Sequence, residues 1–282
     1  MNLLLTLFCL YISSKVKTNQ LFFLFLFECL KQNNSLPFNK YSFLTTHNAF
    51  AIDDGTPRNG VRALMLDTYD YEDTVWLCHS FGGECHDLTK FVPAIDTLKE
   101  VEAFLSANPN EIVTIILEDY KYWFPVTSMP KGGQDWPLVR DMVANNQRLL
   151  VFGSVKSKEQ VKASRTSELH DGDGGMKAGE CPNRGESSSM NDTAKSLVLV
   201  NYFRTLPIKV LACGQNNEGL LNMTKTCFSD SANRWANFLA VDFYKRSAGG
   251  GTFQAVDLLN GERLCGCNDV HSCAPGGGSC TP

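Results

Sequence analysis

From residue 41 onward, short apolar runs rich in β-branched and aromatic residues alternate with polar or amphipathic stretches: YSFLTT, VRALML, TVWLC, EIVTIIL, RLLVFGSV, SLVLVNYF and NFLAVDF. Each predicts a β-strand. Several are apolar at successive positions, the pattern of parallel strands covered on both faces, and lack the strict alternation of a one-sided antiparallel sheet. PAIDTLKEVEAFLSANP places Ile95, Leu98, Val101, Phe104 and Leu105 on one stripe, with Pro93 suited to a first turn and Pro109 as a stop, and predicts a helix. WPLVRDMVANN and NEGLLNMTKTC predict weaker ones. Strand and helix in alternation specify an α/β chain, with a TIM-type (β/α) barrel as the leading architecture. Its connections are expected to be shortened or incomplete. Thirteen residues without helical periodicity separate His47 from Val61, where a parallel crossover usually carries a covering helix. KSKEQVKASRTSELHDGDGGMKAG is also poorly patterned and reads as a long loop or another disrupted connection.

Ahead of these elements, MNLLLTLFCLYI and LFFLFLF flank the polar SSKVKTNQ, and neither approaches the roughly 20 apolar residues that span a bilayer. Residues 1–35 are therefore set apart as a hydrophobic leader, signal-like or anchoring. The barrel is expected over residues 36–262 and a Cys/Gly-rich tail over residues 263–282. Of eleven cysteines, four lie in the tail segment CGCNDVHSCAPGGGSC, which has little capacity to form a core and predicts disulfide ties. Zinc is the weaker alternative: Cys78-His79 and Cys85-His86 are suggestive, yet the tail lacks paired C-x2-C spacing. With sequons at Asn33, Asn191 and Asn222, the cysteines predict the secretory pathway, with an extracellular or membrane-associated product. A net charge of −4 with no basic stretch excludes an electrostatic footprint for nucleic acid.

Five polar residues close five of the runs: His47, Asp67, His79, Glu118 and Asp242. A histidine at a strand end is more often structural than catalytic, but two facing one substrate form a general base and a general acid. Asn48, Asp67 and Glu118 offer hard oxygen ligands to Ca2+. That set suits phosphodiester cleavage, in which a cation stabilises charge on the phosphoryl oxygens. Lys177, Arg204, Lys245 and Arg246 are candidate cations for the phosphate side, each equally readable as solvated surface charge. There is no P-loop, no Rossmann fingerprint, no G-x-S-x-G and no H-E-x-x-H. A glycosidase using Glu118 and Asp242 as its carboxylate pair remains open and leaves both histidines without a role.

Taken together, LTTHNAFA, GVRALMLDTYD, VWLCHSFGG, VEAFLSANPNEIVTIILEDY and FLAVDFYKRS resemble the X region of phosphatidylinositol-specific phospholipase C, most closely its plant secreted-type branch of PLC-like phosphodiesterases, from about Asn34 to His271. The resemblance implies a TIM-type barrel and a phosphoric diester hydrolase of lipid metabolism. His47 would act on the attacking hydroxyl and His79 on the leaving group, while Asn48, Asp67 and Glu118 match the Ca2+ ligands of metal-dependent members. It departs at Met65, where the calcium-dependent eukaryotic enzymes carry a further glutamate. Asp67 stands where metal-independent bacterial members have an arginine. A weak or altered Ca2+ site is the expectation, with Lys177, Asp242 and Lys245 on the substrate side. The expected partners are a phospholipid or other phosphodiester and a membrane surface, met by a monomer. The alternative is a catalytically silent, secreted lipid- or wall-associated binding protein on the same barrel.

Overall fold

The computed structural model describes residues 34–49, 60–80, 84–119, 130, 132–153, 167–169, 180–182, 189–204, 208–247, 251–274 and 279–280. The strands are β1 (Phe43–Thr46), β2 (Ala63–Tyr71), β3 (Thr74–Cys78), β4 (Lys90–Pro93), β5 (Val113–Asp119), β6 (Leu149–Gly153), β7 (Ser167–Leu169), β8 (Val198–Tyr202) and β9 (Phe238–Val241). All seven sequence-predicted runs are strands. β4 and β7 are additional: one is four residues long and ends in proline, the other is three residues of polar sequence, too short for a periodic signal. The helices are α1 (Ala94–Ala107), α2 (Val139–Ala144), α3 (Lys209–Gln215), α4 (Glu218–Asp230) and α5 (Gly251–Leu264).

The fold is α/β with a mixed sheet. Parallel pairings give the order β7-β8-β9-β1-β2-β5-β6, and β3 and β4 attach as an antiparallel extension of β2. Among the described residues β6 and β7 end this order without pairing to each other, so the sheet is open there. β3 also departs from the parallel expectation. It folds straight back on β2, with Tyr71 paired to Thr74 across a turn in which Glu72 and Asp73 take positive φ.

Both faces of the sheet are covered, which is why the strands read as near-continuous apolar runs. Alternate residues supply two cores. Ala63 and Met65 of β2 and Phe238 and Ala240 of β9 join Phe38, Phe43, Trp136 and Phe152 on the inner face. Leu64, Leu66, Leu239 and Val241 face the helices, where α1 contributes Val101 and Leu105, α4 Leu220 and Met223, and α5 Val256 and Leu259. At the N-terminal end of β2, Arg62 bonds Glu111 at 2.6 Å, each side chain 6% exposed. Asn260 accepts from Ser42 N and donates to Ser42 O, fastening α5 to β1.

Four disulfides lie among the described residues: Cys78–Cys85, Cys181–Cys227, Cys265–Cys273 and Cys267–Cys280. They use up the thiolates that the zinc alternative needs, and they agree with an oxidising compartment. No described helix is long and apolar enough to cross a membrane. Residues 1–33 of the leader fall outside the described residues.

Candidate active site

Every parallel strand points its C-terminal end the same way, and the inner-face alternation ends there in polar residues. Phe43, Thr45, His47 is one such series, Ala63, Met65, Asp67 another, and Phe238, Ala240, Asp242 a third. The polar layer therefore caps the aromatic core. His47 is 7% exposed, Asn48 2% and Asp242 5%.

Register brings the ends of β1 and β3, each followed by a histidine, to the same edge of β2. β5 pairs with β2 from Ala63 to Thr68 and so occupies one edge of that strand. β1 holds the opposite edge at Ala63 and Leu64, and β3 must hold that same opposite edge at Thr68 and beyond. β1 thus runs up one edge of β2 while β3 comes down it. Their ends meet over the stretch from Leu64 to Thr68, about 13 Å of strand at roughly 3.3 Å per residue. His47 follows β1 and His79 follows β3, so the chain at both positions adjoins this gap, and Asp67 belongs to the strand that borders it.

Three groups surround the His47 ring. Its Nδ1 lies 2.9 Å from Asp242 Oδ1, and the Asn48 amide nitrogen, which finds no acceptor there once Nδ1 donates to Asp242, lies 3.0 Å from the same ring atom. Phe203 stacks on the imidazole with centroids 3.6 Å apart and planes 3° from parallel. An ionised Asp242 can only accept, so Nδ1 carries the proton and the ring's basic position is Nε2. Asp242 is set in turn by Asn216, whose Nδ2 donates to the carbonyls of Asp242 (2.8 Å) and Arg246 (3.1 Å). Asp242, expected on the substrate side, makes a direct contact with His47 Nδ1.

His79 is half-buried and its Nδ1 lies 3.2 Å from Ser80 O, which also selects Nε2 as the exchanging position. The disulfide Cys78–Cys85 closes a short loop around it, and His79 N donates to Thr89 O at 3.1 Å. Both histidines are therefore fixed in orientation by contacts to Nδ1.

For a cation, Asn48 Oδ1 is buried with no hydrogen-bond partner among the described residues, an acceptor suited to a hard ion. Asn48 reaches this position through a positive φ of 47°, and Ala49 N donates to Met65 O. Asp67 is half-buried on β2 and paired in register with Glu118 of β5. β2 continues past Asp67 into the hairpin with β3, but its parallel pairing stops at Thr68. Asp67 thus stands at the C-terminal end of the parallel pairing although it is not at the end of its strand. Met65, 1% exposed, lies within the aromatic core below.

Lys177 falls outside the described residues. Lys245 is exposed, with Nζ 5.7 Å from the Tyr244 ring centroid, and Arg204 is exposed. Sequence reasoning missed Asn201, Phe203 and Asn216. Asn201 is buried in β8 beside Ala240, and its Oδ1 has no partner among the described residues. The lone asparagine inside SLVLVNYF was the available signal.

Three comparisons bear on this geometry. A family model described as PI-PLC X 1, for the PI-PLC X domain, matches residues 43–171. A PI-PLC X domain-containing protein of Arabidopsis thaliana is 47% identical over 291 aligned positions, spanning 88% of this chain and 68% of the relative. Among solved structures, the phosphatidylinositol-specific phospholipase C of Staphylococcus aureus matches at a TM-score of 0.46 and 12% identity, over 82% of this chain and 95% of that one. A double mutant of that enzyme gives 0.45 and 12%, over 79% and 92%. Those structural likenesses are weak, and assignment rests on the sequence matches.

Proposed function

The chain belongs to the PI-PLC X domain family, and from that premise we propose that it is a phosphoric diester hydrolase acting on phosphatidylinositol or a related phosphodiester. The observation that carries this reading is the head-on approach of β1 and β3 along one edge of β2, with His47 and His79 next in sequence after their facing ends and Asp67 on the strand between, an arrangement that supports a shared site. A glycosidase built on Glu118 and Asp242 loses support, since Asp242 is engaged with His47.

In the proposed reaction His47 Nε2 takes the proton of a substrate hydroxyl as its oxygen attacks phosphorus. Asp242 stabilises the imidazolium that forms and, with the stacked Phe203, keeps the ring from turning. His79 gives a proton to the departing alkoxide, which leaves as the lipid alcohol. Asn48 and Asp67, with Glu118 beside Asp67 in register, are the residues that would hold Ca2+. Bound there, such an ion would neutralise charge on the phosphoryl oxygens. The partnerless Asn48 Oδ1 supports that fit, whereas apolar Met65 argues for a site weaker than one with an additional carboxylate. The same reading includes a sheet closed into a barrel, export through the secretory pathway, and action as a monomer at a membrane surface.

The test is release of inositol phosphates from phosphatidylinositol vesicles by wild type, His47→Ala and His79→Ala. The proposal expects turnover in wild type alone. Equal turnover in all three proteins overturns the assignment of the histidines. Lipid binding without turnover by wild type would identify a silent binding protein on this fold.

A further inference from the structure

A second cluster of metal-ligating side chains lies outside the candidate active site, where the Cys-rich tail meets α5. Asp257, Asp269 and His271 each present a ligand atom, and these atoms all lie within 4.8 Å of one another. His271 Nε2 and Asp257 Oδ2 form a His–carboxylate pair at 3.6 Å, a separation that one ion could bridge by touching both. The set contains one imidazole nitrogen and two carboxylates contributed from two elements.

Its framework is rigid. Asp257 and Gly261 are four residues apart, hence on one face of α5. A Cβ at Gly261 would meet Cys267 O at 2.5 Å, Asp269 C at 2.6 Å and Val270 N at 2.7 Å. Only glycine lets the tail's backbone lie this close to the helix. Asp269 caps the 3-10 turn Val270–Ser272, its Oδ1 accepting from His271 N at 2.9 Å, which commits one carboxylate oxygen. Cys265–Cys273 closes the loop that carries both Asp269 and His271, and Cys267–Cys280 ties that loop onward. All four tail cysteines are consumed in these bonds, so the ligands on offer are nitrogen and oxygen alone.

We propose that Asp257, Asp269 and His271 form a structural site for a borderline divalent cation of the Zn2+ type, clamping the disulfide-tied tail onto α5. One imidazole with two carboxylates suits Zn2+ better than Ca2+, which prefers six or more oxygens. Solvent would complete the coordination, since His271 and Asp257 side chains are 39% and 22% exposed. The site is separate in sequence from Asn48, Asp67 and Glu118, so it stands or falls independently of the proposed chemistry.

The experiment is calorimetric titration of the full chain, without reductant, with Zn2+ and with Ca2+, for wild type, Asp257→Asn, His271→Ala and Asp67→Asn. Wild type and Asp67→Asn should bind one Zn2+ with equal affinity and show the same Zn2+-dependent rise in Tm. Asp257→Asn and His271→Ala should bind at least about tenfold more weakly, the scale expected for loss of a metal-supporting group. Both variants replace partly exposed side chains, and far-UV circular dichroism will confirm that they fold. Co2+ in place of Zn2+ should give weak ligand-field bands with no thiolate charge-transfer band. Absence of binding at millimolar Zn2+ overturns the proposal, as does binding that survives both substitutions or is lost in Asp67→Asn.

Discussion

His47 and Asp242 are 195 positions apart in the chain and 2.9 Å apart in the structure, Nδ1 against Oδ1, with both side chains under a tenth exposed. The pairing follows from β1 and β9 being parallel neighbours whose matched residues end at Thr46 and Val241. The next residue on each strand is therefore the partner of the other, and His47 N donates to Val241 O to hold the junction. A neutral amide at position 242 would keep the shape and lose the charge. Asp242→Asn is expected to lower kcat for phosphatidylinositol cleavage by roughly 10²–10⁴-fold with little change in KM, the range for removing effective acid–base catalysis. Steady-state kinetics on vesicles measure it, and wild-type kcat in the variant would show that Asp242 is only structural.

β1, β8 and β9 were legible because they are buried on both faces, so burial wrote itself into sequence as near-continuous β-branched and aromatic runs, while β3 and β6 carry exposed positions and were legible from their β-branched and aromatic residues. Helix α1 was legible for the opposite reason: one face is apolar and the other charged. Helix α5 was not legible. Thr252, Ala255, Val256, Leu258, Leu259, Asn260 and Gly261 are all buried, so its surroundings leave no contrasting polar face, and it begins in a run of glycines. Of the site, the polar residues that close apolar runs could be read off directly. Their grouping could not, because the edge of β2 shared by β1 and β3 depends on register. The engagement of Asp242 with His47 likewise appears only when the first and last strands of the series are neighbours.

The Asn48, Asp67 and Glu118 set leads to a prediction about metal removal. If these residues hold Ca2+ during turnover, a Ca2+-selective chelator should abolish activity and added Ca2+ restore it. Asp67→Asn should then need at least about tenfold more Ca2+ for half-maximal rate. Tb3+ luminescence, which reads occupancy without turnover, should show the same displacement. Undiminished activity in chelator would remove Ca2+ from the reaction.

Arg62 and Glu111 make a different kind of pair, at the N-terminal end of β2, away from the candidate site. Their 2.6 Å contact is buried, Arg62 also donates to Val61 O, and its guanidinium carbon lies 5.2 Å from the Phe104 ring centroid. Removing one partner strands a charge in the interior, which costs about 3–5 kcal/mol. Glu111→Ala should therefore lower the denaturant midpoint markedly. Below its unfolding transition the variant should retain wild-type kcat, because the pair joins the start of β2 to the turn before β5 and touches no candidate catalytic group. A midpoint equal to wild type would show that the ion pair contributes nothing net.

The Cys78–Cys85 disulfide encloses His79 in a loop with sequence separation 7. Closing so short a loop stabilises by about 2–3 kcal/mol in the chain-entropy estimate. Its second effect bears on chemistry. His79 is oriented by a single contact from Nδ1 to Ser80 O, and the loop's return is fixed by Cys78 Sγ near Thr89 Oγ1 and by His79 N on Thr89 O. Without the disulfide these contacts alone must orient His79. Cys78→Ser with Cys85→Ser should lower Tm and, measured well below that Tm, should reduce kcat more than it raises KM. The reason is that a proton donor that wanders costs little in binding and much in the step it serves. Dithiothreitol should reproduce the loss in wild type and have no further effect on the double variant. Full activity in the double variant would mean that the β3–β4 hairpin alone positions His79, and the disulfide would then be a stabilising tie only.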